Sequence, residues 1–115
     1  MPDSPRLTVD QAGGATVVRL IDERMVGDEA IHEVRDQLYA LVGPSTRLVL
    51  DLGAVRGYSS EFLGNLLGLN RRLIAAGGSL RLCELGPELR DAIGILHLDR
   101  IFVISPTVEA ALADA

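Results

Sequence analysis

Apolar residues recur along the chain in two alternating rhythms. Four short runs, ATVVRLID (15–22), RLVLDL (47–52), SLRLCEL (79–85) and IFVIS (101–105), are rich in Val, Leu and Ile and too short for helices. Each precedes a segment whose apolar residues return every three or four positions: GDEAIHEVRDQLYALVG, SSEFLGNLLGLNRRLIAA, PELRDAIGILH and PTVEAALADA. Strands alternating with helices predict βαβ units, hence an α/β fold with a mainly parallel sheet of four to five strands. A further strand, LTVDQ (7–11), meets the first run across AGGA, which predicts an antiparallel hairpin at the sheet edge.

The same spacing predicts which residues face the core. In the first helix these are Ile31, Val34, Leu38, Leu41 and Val42, with Gly43-Pro44 as the stop. In the second they are Leu63, Leu66, Leu67, Leu73 and Ile74. Arg71 and Arg72 lie in its last turn, where the helix dipole favours cations, and Gly77-Gly78 provides a left-handed exit. In the third, Pro87 suits the first turn, and Leu89, Ile93 and Leu96 point inward.

A parallel sheet covered on both sides reads as nearly continuous apolar sequence. Here Arg19 interrupts Val18 and Leu20, and Arg81 interrupts Leu80 and Leu82. One face of the sheet is therefore expected to meet solvent or to be lightly covered, with the helices on the other face. Successive right-handed crossovers then wind a one-sided β-α superhelix. No internal repeat or long linker divides the chain, so residues 1–115 read as one domain. The first six and last three residues are expected to be disordered.

Composition narrows the function. Aromatic residues are 3% of the chain and tryptophan is absent, so aliphatic side chains must fill the core. The net charge is −5, and the basic residues are all arginine and scattered apart from Arg71-Arg72. That argues against direct nucleic-acid binding, which needs clustered cations. The longest apolar stretch falls short of a membrane span, and the first ten residues lack the charged-then-apolar order of a signal peptide, so a cytoplasmic location is expected.

Candidate chemistry is sparse. One cysteine, Cys83, excludes an internal disulfide, and with only His32 and His97 no Cys/His metal cluster is expected. Cys83 among leucines reads as a small buried hydrophobe, His32 as a solvated residue on the polar side of its helix, and His97 as a helix terminator. Asp51 ends a strand at the carboxyl edge, where α/β sites gather. Nucleophile elbows and phosphate-binding glycine loops are absent from the sequence, so no catalytic residue and no cofactor are expected.

The remaining feature is GYSSEFLGNLL (57–67), with Ser59 and Ser60 directly before an apolar helix. Serine is a preferred N-cap, and capping alone accounts for the pair. Here the Ser60 hydroxyl is expected to cap the helix. A helix start after a parallel strand also lies at the rim of the sheet, with backbone donors aimed outward. A phosphate on a hydroxyl there would add ~1.5 to 2 negative charges, tolerated by the helix end, and would alter what docks.

The stretch VLDLGAVRGYSSEFLGNLL resembles the anti-sigma-factor antagonists built on the STAS domain. Their hallmark is a strand ending in Asn or Asp-Leu, a short connection, and Asp-Ser-Ser/Ala-Gly-Leu-Gly before an apolar helix. Leu63-Gly64 matches the closing Leu-Gly, Ser60 the phosphorylated serine and Ser59 the preceding Asp. The likeness continues through RRLIAAGGSLRLCELGPELRDAIGILHLDRIFVISPTVEAALA and covers roughly residues 7–113.

The resemblance implies a STAS-like superhelix and a non-enzymatic role in partner switching and transcription regulation. It implies Ser60 as phosphoacceptor, Ser59, Ser60 and Glu61 as partner surface, an anti-sigma serine kinase as partner and a phosphatase that resets the switch. Two departures bear on this: Ser59, which remains a secondary candidate acceptor, stands where the family has Asp, and Glu61 and Phe62 stand where it has a small residue and Gly. Glu61 sets a negative charge beside the hydroxyl, and Phe62 is either bulky at a point of close approach or part of the core. An alternative keeps the fold without the chemistry, as a non-phosphorylated interaction scaffold in a signalling assembly. An enzymatic reading ranks last, because the sequence offers no general base beside Ser60.

Overall fold

The computed structural model describes residues 6–113. Strands β1 (Leu7–Ala12) and β2 (Ala15–Leu20) form the antiparallel hairpin, turned by Gly13 and Gly14, both at positive φ. Strands β4 (Arg47–Asp51), β6 (Ser79–Cys83) and β7 (Val103–Ser105) then add in parallel, giving the order β1-β2-β4-β6-β7. Each crossover carries a helix: α1 (Asp28–Ala40), α2 (Ser60–Ala75) and α3 (Pro87–Ile95), the last followed by a 3-10 turn at Leu98–Arg100. The chain closes with α4 (Val108–Ala113). Every crossover steps one strand in the same direction, which generates the expected coil.

Strand alternation divides the core in two. Val18, Leu20, Leu48, Leu50, Leu80 and Leu82 point to the face covered by α1, α2 and α3, where they meet Val34, Leu38, Phe62, Leu66, Leu69, Leu73, Leu89 and Ile93. Ala15, Val49 and Cys83 point to the opposite face and pack on Ala111 of α4. The expectation of helices on one face therefore holds for α1–α3 and is corrected for α4. The lightly covered face is covered by a single short helix, which leaves Arg19 exposed.

Two expected core positions, Ile74 and Leu96, lie elsewhere, while Leu41, Val42 and Leu67 are half-buried against the core. Ile74 is 61% exposed, while Leu69 and the polar Asn70 take the inward places on α2. Leu96 is 56% exposed, because α3 ends at Ile95 and His97 turns the chain with a left-handed φ of 58°. Gly77 makes the left-handed exit of α2; Gly78 is required for another reason, since a Cβ there would collide with the Thr46 backbone.

The expected disorder at the ends falls mostly outside the described residues. Arg6 and Ala113 lie within them and are placed. The Arg6 Nε donates to Glu33 Oε2 at 2.6 Å and its other arm to Asp22, while Ala113 completes α4.

Candidate functional site

Two pairs of residues that sequence patterning passes over position the serines. Strand β3 (Arg24–Met25) pairs in parallel with β5 (Gly57–Tyr58), forming a small second sheet. The Ser59 amide continues this pairing by donating to the Met25 carbonyl at 3.1 Å. Both strands lead straight into helices, so the N-termini of α1 and α2 are brought to one rim. Gly27, at φ 89°, caps α1, and Ser59 caps α2.

Ser59 is the N-cap, not Ser60. Its backbone is extended (φ −112°, ψ 166°), and its Oγ accepts from the Phe62 amide at 3.4 Å. The expectation that the Ser60 hydroxyl caps the helix is thus corrected. The β3–β5 pairing fixes Ser59 in the extended conformation a cap requires, and the helix begins one residue later. Ser60 is the first residue of α2 and is exposed.

Glu61 follows in the first turn, where a carboxylate suits the positive end of the helix dipole. Its Oε2 lies 3.1 Å from His32 Nε2 of α1, and both side chains are about half exposed. The two helices thus share a polar contact next to Ser60. Local spacing reads His32 as a solvated residue on the polar side of its helix, and nothing in it pairs positions 32 and 61. Phe62, 1% exposed, resolves its alternatives in favour of the core. Gly64, one turn beyond Ser60, meets open space.

Asp51 belongs to another part of the molecule. It is 5% exposed; its Oδ2 accepts from Arg19 Nε at 3.0 Å and its Oδ1 from the Gly53 amide at 2.8 Å. With Glu84, Val108 and Glu109 it lines an open groove of about 460 Å³ on the α4 face. Glu84 Oε2 accepts from the Val108 amide at 2.9 Å, at the first residue of α4. Both carboxylates thus have structural partners, and the sheet separates Asp51 from the layer that carries Ser60.

Cys83 is buried, with its Sγ donating to the Leu50 carbonyl at 3.5 Å. Burial, then the charges of Asp51, Glu84 and Glu109, push its thiol up to about 12, which keeps it protonated and unreactive. Among the described residues no three His, Cys, Asp or Glu side chains are grouped to hold a metal ion, and no helix is long and apolar enough to cross a membrane.

Comparisons with known proteins agree with this fold. The family model described as STAS domain matches residues 6–111. A Bordetella bronchiseptica protein named "Putative anti-sigma factor antagonist BtrV" is 32% identical over 109 residues, covering 94% of this chain and 92% of its own. The structure of an anti-sigma factor antagonist from Mycobacterium paratuberculosis superposes with a TM-score of 0.82 at 28% identity, over 99% of this chain and 96% of its own. The phosphorylated form of the Bacillus cell fate determinant SpoIIAA aligns with a TM-score of 0.70 over 94% of this chain and 97% of its own. At 21% identity that likeness is one of fold.

Proposed function

The chain belongs to the STAS domain family, and from that premise we propose that it acts in the cytoplasm as an anti-sigma-factor antagonist switched by phosphorylation of Ser60. The unmodified rim of Ser59, Ser60 and Glu61 binds an anti-sigma serine kinase and so frees a sigma factor. Transfer of the γ-phosphoryl group of ATP to the Ser60 Oγ leaves ADP and frees the hydroxyl proton, after which the complex with the kinase separates; a phosphatase then hydrolyses the ester to serine and inorganic phosphate.

The observation that carries this reading is the position of Ser60: exposed, first in α2, and free of the capping role that Ser59 fills. A phosphoryl group there meets the positive end of the helix dipole, so it is accommodated without unfolding α2. It adds charge to the surface against which a partner docks. The 32% identical relative carries the anti-sigma factor antagonist name, and a neighbour in fold exists in a phosphorylated form.

Incubation with an anti-sigma serine kinase and ATP tests the reading, with the modified residue located by mass spectrometry. A single phosphate on Ser60, absent from Ser60→Ala, is the expected result. A kinase that binds yet leaves both Ser59 and Ser60 unmodified sinks it. In that case the protein is a constitutive interaction scaffold, a reading favoured by the carboxylate of Glu61 beside the serine.

A further inference from the structure

On the outer side of α2, Ser60, Gly64, Leu67, Arg71 and Ile74 follow one another at steps of four, three, four and three. That spacing keeps them on a single stripe of the helix. Ser60, Gly64, Arg71 and Ile74 are exposed and Leu67 is half-buried. At 1.5 Å per residue the stripe runs about 21 Å from the candidate phosphoacceptor to Ile74.

Its far half is not a plain helix surface. Leu67, Asn70, Arg71 and Ile74 line an open groove of about 330 Å³ whose other wall is Ile101, which is 51% exposed. Single exposed aliphatic residues are ordinary, but here Leu67, Ile74 and Ile101 face one depression. Arg71 is the groove's charged lining residue and makes no ion pair among the described residues, in a chain whose net charge is −5. Its neighbour Arg72 turns the other way, with its guanidinium 4.3 Å above the ring of Tyr39 on α1. Between groove and serine, Gly64 leaves the helix backbone open to close approach.

We propose that this stripe is the second half of the partner surface and that its occupant is an acidic amphipathic segment of the anti-sigma kinase. An apolar side chain seats between Leu67, Ile74 and Ile101, a carboxylate pairs with Arg71, and the segment passes over Gly64 toward Ser60. Charge complementarity sets the chemistry: a lone cation beside an apolar depression selects an apolar anchor flanked by Asp or Glu. The inference rests on the reading of Ser60 as the switch and deepens it, since docking through the groove would position the kinase over the hydroxyl.

The test is calorimetric titration of the full chain with the purified anti-sigma serine kinase, together with Ser60 phosphorylation at saturating kinase. Ile74→Glu is expected to weaken binding roughly tenfold or more, as an apolar anchor does when replaced by a charge. Arg71→Gln is expected to weaken it several-fold and to flatten its salt dependence. Ile95→Glu, on α3 and outside the groove, leaves affinity unchanged. Ile101→Glu probes the opposite wall, so a folding failure of one variant leaves the other decisive. Unchanged affinity of the folded Ile74→Glu or Ile101→Glu chain, with Ser60 still phosphorylated, overturns the groove alone. A wild-type chain that neither binds the kinase nor is phosphorylated overturns the Ser60 reading and the groove with it.

Discussion

His32 on α1 and Glu61 on α2 meet at 3.1 Å, one residue from the exposed Ser60. The contact sets the charge around the proposed switch, because Glu61 is the negative group next to that serine in sequence and His32 is its partner. Both side chains are about half exposed, so the pair is worth little to stability, ~0 to 1 kcal/mol. Its weight falls on recognition. Glu61→Gln is expected to leave the melting temperature nearly unchanged and to raise kinase affinity several-fold, by removing a like charge facing ATP. Calorimetry on the two chains checks this; equal affinities would mean the carboxylate does not face the bound nucleotide.

The two adjacent serines are expected to separate cleanly by stability. Ser59→Ala removes the α2 cap and should cost ~1 kcal/mol, while Ser59→Asp should restore most of it. For a domain of this size that loss lowers the melting temperature by roughly 4 °C. Ser60→Ala, at an exposed first helical position, should change stability by less than ~0.5 kcal/mol. Thermal denaturation of the three variants reads this out.

Two glycines make opposite predictions. Gly64 is an exposed helix-interior residue with open space where a Cβ would go, so Gly64→Ala should stabilise by ~0.5–1 kcal/mol. At Gly78 a Cβ would collide with the Thr46 backbone, which cannot move without breaking the hydrogen bond that the Ser79 N–H donates to the Thr46 carbonyl. Gly78→Ala should therefore cost more than ~3 kcal/mol and yield mostly insoluble protein. Denaturant titration distinguishes the two.

Cys83 should resist thiol reagents at pH 8 in the native state and react at once in denaturant, because burial holds its thiol up to about 12. The linked effect on stability has a definite sign. Above the ordinary value of 9.0 the unfolded chain loses this proton and the folded chain keeps it. Stability therefore falls as the pH climbs from about 9 toward 12. Cys83→Ala should flatten that alkaline slope, measured by denaturant midpoints across the range.

The order of the five main strands and four helices, the antiparallel hairpin, the parallel sheet and the helix carrying the serines are legible in the sequence, whereas the two-residue strands β3 and β5 are not. They follow from local rules: strands repeat every two residues and helices every 3.6, and Pro87, Gly77 and the serines mark helix ends by their own backbone preferences. Arg19 and Arg81 likewise announced a lightly covered sheet face, because an alternating charge shows which way a strand points. Other features depended on what lies across space. Leu67 and Ile74 have the same local signal as Leu66 and Leu73, one residue earlier and about 100° around the helix. Only the placement of α2 over the sheet decides which pair is buried and which borders an open groove. The choice of Ser59 over Ser60 as cap came from the β3–β5 pairing, and the meeting of His32 with Glu61 from the packing of α1 beside α2. Periodicity is a property of neighbouring residues and can be read along the chain, whereas burial and pairing are properties of surfaces that exist only once distant segments have come together.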